Sequence, residues 1–213
     1  MKRLFYLILC IALLTGCAPL EGGQTTPQYH PDNVEDPMEV ETMTATIEME
    51  DGGVIVAELY PKAAPQSVCN FVYLAREGFY DGLIFHRVVE GFMIQGGDIN
   101  GTGSGSPGYC IKGEFSVNGF ENSISHTRGT LSFARRGDPL YDSAGSQFFI
   151  MHKDNKGLDG LYAAFGRVIQ GMDVVDRIAA VKTERERPLE DVVIKKVTID
   201  GPALPEPEKL PVP

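Results

Sequence analysis

Apolar and polar residues alternate through TATIEM and again through VIVAEL, between residues 44 and 59. That period of two predicts two strands, and Asp51-Gly52-Gly53 between them predicts a tight hairpin turn. The period then changes. Pro65 suits a first helical turn, Val68, Phe71, Val72 and Ala75 recur at helical spacing, and Gly78 supplies a stop. Short apolar runs at 84–88, 93–97, 130–134, 147–151 and 163–168 follow, most of them separated by glycine-rich turns. A second helix is expected over 172–180, with Val174, Val175, Ile178 and Ala179 on its apolar side. DVVIKKVTI, 191–199, reads as a last strand. Many short strands at this spacing predict a mostly β domain, an antiparallel sheet closed into a barrel and bracketed by two helices.

The ends follow different rules. Lys2 and Arg3 precede an apolar run over 4–14, and Thr15, Gly16 and Cys17 follow it, the layout of an export signal. Eleven apolar residues are too few for a membrane span, which takes roughly 20. Leu14-Thr15-Gly16-Cys17 resembles a bacterial lipobox, which implies cleavage after residue 16 and a lipid on Cys17 that anchors the chain to a membrane. Residues 17–43 read as a flexible tether, since Ala18 to Met43 carries six acidic residues and no Lys or Arg. Residues 200–213, with five prolines, read as a stiff extended tail without secondary structure of its own. One domain, 44–199, remains.

Hydrophobic residues make up 43% of the 213, enough for one substantial core. The net charge of −10 resides largely in the tether, and no basic stripe exists to neutralise phosphates, so nucleic-acid binding is not expected. Cys69 and Cys110 are the only cysteines of the domain, and two cysteines do not make a disulfide framework; both are expected as buried thiols.

Candidate chemistry concentrates in FHRVVEGFMIQGGD, 85–98, and SQFFI, 146–150. In strands, Met93 and Gln95 share one face, as do Gln147 and Phe149, with Ile94, Phe148 and Ile150 turned the other way. If both working faces lie outside the barrel, Phe92, Met93 and Phe149 form a shallow apolar pocket of proline-ring size with amides at its edge and Arg87 at the rim. An uncharged peptide fits such a surface better than an ionic metabolite.

These two motifs, with HTRGTLSFAR at 126–135 and NKGLDGLYAAFGRV at 155–168, resemble the cyclophilin family of peptidyl-prolyl isomerases. The resemblance implies an eight-stranded antiparallel barrel capped by two helices over about residues 44–199. It assigns Phe92, Met93, Phe149 and Leu158 to the proline pocket and Gln95, Ala134 and Arg135 to the substrate backbone. Arg87 becomes the catalytic arginine, and Gln147 and Tyr162 border the site. Three positions depart from the usual pattern: Gly157 stands where many cyclophilins have tryptophan, which argues against tight binding of cyclosporin-type inhibitors. Tyr162 replaces a common histidine, and Arg135 replaces a common asparagine, whose contact the backbone can still make.

The implied reaction is rotation about an Xaa-Pro bond, needing neither metal, nucleotide nor other cofactor. The expected partners are proline-containing segments of exported polypeptides and the membrane, reached through Cys17; a monomer is expected. A non-catalytic holdase or surface adhesin that recognises proline-containing segments is the alternative on the same fold. Other chemistries find less support. His86, His126 and His152 lie on separate segments without metal-ligand spacing, so they are expected to be structural. Ser104, Ser106 and Ser146 lack a GxSxG elbow, and GTGSGSPG, 101–108, lacks the Lys-Ser/Thr ending of a phosphate cradle. A third class, extracytoplasmic solute binding, would need two α/β lobes, for which the chain is short.

Overall fold

The computed structural model describes residues 33–213; the expected export signal, Cys17 and most of the expected tether lie outside the described residues. Strands β1 (Met43–Met49) and β2 (Val54–Leu59) form the expected hairpin, in register from Met43 opposite Leu59 to Glu48 opposite Val54. Alternation decides what is buried: Ala45, Ile47, Ile55, Ala57 and Leu59 are fully enclosed. At the turn, the Asp51 carboxylate accepts the Gly53 N–H at 2.8 Å, and Gly52 takes the left-handed φ of 85° that the bend requires.

Helix α1 (Pro65–Arg76) opens on proline and buries Val68, Phe71, Val72 and Ala75, the stripe its spacing predicts. No adjacent side chain caps its start. Buried Glu114 reaches in from elsewhere in the sequence, accepting the N–H groups of Gln66 and Ser67, both at 2.8 Å, and the Ser67 hydroxyl at 2.7 Å. Three short strands follow: β3 (Arg87–Val89), β4 (Met93–Gly96) and β5 (Thr130–Phe133). Then come β6 (Phe148–Met151), β7 (Ala164–Gln170) and α2 (Met172–Ala179). A small hairpin, β8 (Thr183–Glu184) with β9 (Arg187–Pro188), precedes the last strand, β10 (Ile194–Asp200).

The closed barrel expected from the sequence does not form. The sheet is an eight-stranded antiparallel half-barrel in the order β10-β1-β2-β7-β5-β6-β4-β3, with β10 and β3 at the two ends of that order. Strand β3 is too short to close the circle, and its outer edge is already occupied, because the Val88 N–H donates to the Glu186 carbonyl at 2.7 Å. The gap is spanned only beside β3, by a bridge between Ile84 and Val193 and by bonds such as Phe85 N–H to the Val192 carbonyl at 2.9 Å. Inside, Phe71, Tyr80, Phe85, Phe133, Phe148 and Phe165 form the aromatic centre of the core.

The flanking segments pack on this domain. Val40 is buried and Glu35 donates to the Ala203 carbonyl at 2.8 Å, so residues 33–43 differ from a freely flexible tether. Apolar Val40 and Met43 find the core despite their acidic neighbours. In the tail Leu204 is buried, and Leu210 exchanges two hydrogen bonds with Cys110, at 2.7 and 2.8 Å.

Candidate functional site

Register assembles the site. In the β3–β4 pair Arg87 lies opposite Gln95 and Val89 opposite Met93; in β4–β6, Met93 lies opposite Met151 and Gln95 opposite Phe149. Residues opposite each other share a face, so Arg87, Val89, Met93, Gln95, Phe149 and Met151 all project from one side. Val88, Ile94, Phe148 and Ile150 belong to the core behind it. Met93, Phe149 and Met151 form a second apolar cluster, with partly exposed Val89, Phe92, Ala134, Leu158 and Tyr162 packed around it. The sequence-derived pocket residues Phe92, Met93, Phe149 and Leu158 therefore meet in one apolar cluster, bordered by Ala134 and Tyr162.

Ring contacts brace the cluster. Tyr162 stands edge-on to Phe149, ring centres 5.8 Å apart, and the His126 ring stacks on Phe149 at 6.1 Å. His126 is itself fixed, one ring nitrogen 3.0 Å from the Ser132 hydroxyl and the other 3.0 Å from Asp159. Burial pushes His126 below the usual imidazole range, and Asp159 offsets that only in part, so the ring behind Phe149 is neutral near pH 7. The structural role expected for this histidine is support of Phe149.

At the rim a chain of hydrogen bonds runs along the sheet. Arg87 donates through Nη1 to Gln95 Oε1 at 3.4 Å, Gln95 donates through Nε2 to Gln147 Oε1 at 2.9 Å, and Gln147 donates to the carbonyls of Gly103 and Gly105 at 3.1 and 3.0 Å. Arg87 Nε also meets Glu186 Oε2 at 2.6 Å. With 42% of its side chain exposed, Arg87 remains accessible to a ligand. The Gln147 amide also borders a second cavity of about 400 Å³, walled by Gly103, Gly105, Cys110, Ala134 and Arg136. Asp98 shapes that wall by accepting the N–H groups of Asn100, Thr102 and Gly103. Burial alone would raise the Asp98 carboxyl, but these donors outweigh it and hold it below the usual carboxylate range.

Arg135 behaves unlike its neighbours. Its side chain turns inward at 5% exposure, pairs with Asp138 at 2.8 Å, donates to the Leu161 carbonyl at 2.9 Å and lies 4.9 Å from the Tyr162 ring centre. Only its backbone is left for a ligand. His152 is fixed between the Gly91 N–H at 2.8 Å and Asp176 at 3.2 Å, and His86 is buried. Among the described residues no three His, Cys, Asp or Glu side chains gather as a metal site. Cys69 and Cys110 are free buried thiols, with Cys69 pushed up to about 12 by burial. A larger hollow of about 760 Å³, lined by residues including Met49, Ile178, Leu189 and Val192, contains none of the residues of the Arg87 site. Sequence reasoning missed Asp98, Arg136 and Glu186; for Glu186 the sequence carried no signal, since Arg185-Glu186 is not a usual turn pair and the flanking strands Thr183–Glu184 and Arg187–Pro188 have only two residues each.

The family model for cyclophilin type peptidyl-prolyl cis-trans isomerases matches residues 44–199. The chain belongs to this family. This cyclophilin is 50% identical over 125 residues to peptidyl-prolyl cis-trans isomerase B of Bacillus subtilis, covering 59% of this chain and 82% of the relative. It is 44% identical over 151 residues to the mouse peptidyl-prolyl cis-trans isomerase-like 1, covering 70% and 88% respectively. A crystal structure of a Cryptosporidium parvum cyclophilin type isomerase superposes with a TM-score of 0.69 at 30% identity, over 75% of this chain and 98% of the other. A second structure of that protein, determined in the presence of the dipeptide Ala-Pro, gives 0.67 at 29% identity, over 74% and 99%.

Proposed function

We propose that this cyclophilin accelerates cis–trans rotation of Xaa-Pro bonds in exported polypeptides, acting as a monomer tethered to a bacterial membrane through lipid on Cys17. One observation carries the enzymatic reading: a permanent cation, Arg87, stands beside the apolar cluster of Met93 and Phe149, on the same face of the sheet. Phe92, Met93, Phe149 and Leu158 receive the proline ring. Gln95 and the backbone at Ala134 and Arg135 hold the flanking peptide, with Gln147 and Tyr162 bordering it.

Rotation is slow unaided because amide resonance imposes a barrier of about 18–20 kcal/mol. The prolyl nitrogen must lose its conjugation at the midpoint. A guanidinium is charged at every physiological pH and aims several donors along fixed directions, so Arg87 favours the pyramidal nitrogen that appears only there. Removing water from the planar amide and holding the ring while the preceding carbonyl turns contribute further. A reduction of about 7 kcal/mol corresponds to roughly 10⁵-fold acceleration.

The location outside the cytoplasm is supported by Lys2, Arg3, the apolar run and Cys17. A protease-coupled assay on a proline tetrapeptide, using the chain from residue 18 onward, tests the activity. Arg87→Ala is expected to lower kcat/KM by about 100-fold or more; an unchanged rate would turn the reading towards a non-catalytic holdase. Labelling with a radioactive fatty acid that persists in Cys17→Ser would remove the anchor.

A further inference from the structure

Glu186 occupies the tip of the β8–β9 hairpin, second of two consecutive residues, Arg185 and Glu186, with left-handed φ angles of 49° and 69°. A two-residue hairpin turn with positive φ at both central positions is the type I′ turn, which is most at ease with Asn-Gly. Residues with side chains are strained there. The tip is nonetheless fastened on two sides: the Glu186 carbonyl accepts the Val88 N–H at 2.7 Å, and Arg187 donates to the Gly101 carbonyl. Its side chain thereby meets Arg87, the Glu186 Oε2 accepting Nε–H at 2.6 Å, while Gln95 Oε1 lies 3.4 Å from Nη1.

We propose that Glu186 is the positioning residue for Arg87, clamping one edge of the guanidinium so that its remaining donors face the substrate's prolyl bond. The inference rests on the isomerase reading and adds to it a residue from a different element. A bare arginine on a three-residue edge strand would sample several rotamers, and the ordering would have to occur in each catalytic cycle. The carboxylate removes that search beforehand. A relaxed turn sequence such as Asn-Gly would spare the backbone but present no acid, which accounts for strained side-chain-bearing residues at this tip.

An exposed ion pair adds little to stability, so a merely structural Glu186 and a positioning Glu186 give different readouts. Glu186→Gln, Glu186→Ala and Glu186→Gly are compared with wild type and Arg87→Ala, using the chain from residue 18 onward. The measurements are kcat and KM on an Xaa-Pro tetrapeptide, Tm, and solvent exchange of the Arg87 Nε–H by NMR. Expected in all three Glu186 variants is a loss of about tenfold in kcat with KM within about twofold, together with faster Nε–H exchange. Glu186→Gly is expected to raise Tm by relieving the turn and still lose kcat, separating backbone from carboxylate. Wild-type kcat in all three variants, beside a disabled Arg87→Ala, overturns this inference alone. A change confined to KM or Tm also overturns it, and an inactive wild type overturns the isomerase reading and this inference together.

Discussion

Gly157 is the position where one side chain would change what the pocket can hold. It lies exposed in a single 3-10 turn, Lys156–Leu158, whose last residue packs against the Met93–Phe149 cluster. Its φ is outside the left-handed region, so the backbone accepts a side chain; an added Cβ would come 3.1 Å from Asn155 Oδ1, which must yield by a few tenths of an ångström. Gly157→Trp is expected to extend the apolar wall and tighten binding of a cyclosporin-type ligand by about 1–2 kcal/mol, roughly 5–30-fold in Kd. Calorimetric titration of both proteins checks this, and equal Kd values would mean that residue 157 faces away from the ligand. At this scale alternation made much of the site legible, since spacing alone paired Met93 with Gln95 on one strand and Gln147 with Phe149 on another, and register brings the two faces together. For Arg135 the motif allowed a backbone contact, but the course of its side chain was not legible: it is drawn inward by Asp138 and Tyr162, partners that no local pattern reveals.

Among the elements, those with several residues of clear period were readable and the shortest were not. The β1–β2 hairpin and α1 follow directly from periods of two and about 3.6, whereas β8 and β9 consist of two residues each in a charged stretch, with no period to detect. That hairpin also occupies the outer edge of β3, so the feature hardest to read is part of why the sheet stays open. The start of α1 poses a similar problem, because its cap, Glu114, lies 47 residues from Ser67. Burial pushes the Glu114 carboxyl above its usual range although Ser67 and Gln66 donate to it. A buried charge costs stability while its acceptor oxygens supply it, so Glu114→Gln, keeping one acceptor without the charge, should be milder than Glu114→Ala. The alanine variant leaves two backbone donors and a hydroxyl without their partner, a cost of about 2–4 kcal/mol or roughly 5–10 °C in Tm. Thermal unfolding of the two variants tests the order; equal Tm values for wild type and Glu114→Ala would show that other groups satisfy the helix start.

For the whole molecule, the proline-rich tail alters what counts as the domain. Five prolines and no periodicity gave no reason to expect contacts, yet Leu204 is only 2% exposed, and the Leu210–Cys110 bonds fix the tail beside the second cavity, one wall of which is Cys110. Lys209 lies 4.4 Å from the Tyr73 ring centre, and Arg76 donates to the carbonyls of Gly201 and Pro202 at 2.8 and 2.9 Å, so the strap touches α1 as well. Such contacts are invisible in sequence because they depend on where a stiff, extended chain is led after β10, not on any local preference. Proline has a further effect here: it limits the freedom of the unfolded tail, so docking costs less entropy than for a flexible segment of equal length. Deleting residues 201–213 uncovers the Leu204 site and leaves the Cys110 N–H and carbonyl without partners. Loss of a buried leucine costs about 2–5 kcal/mol, so Tm should fall by roughly 5–15 °C. Leu204→Ala in the intact chain should reproduce much of that loss, whereas Val212→Ala, at an exposed position, should not. Matching Tm values for the deletion and the intact chain would mean that the tail is dispensable for the fold, and a loss reproduced by Val212→Ala would place the stabilising contact outside the Leu204 site.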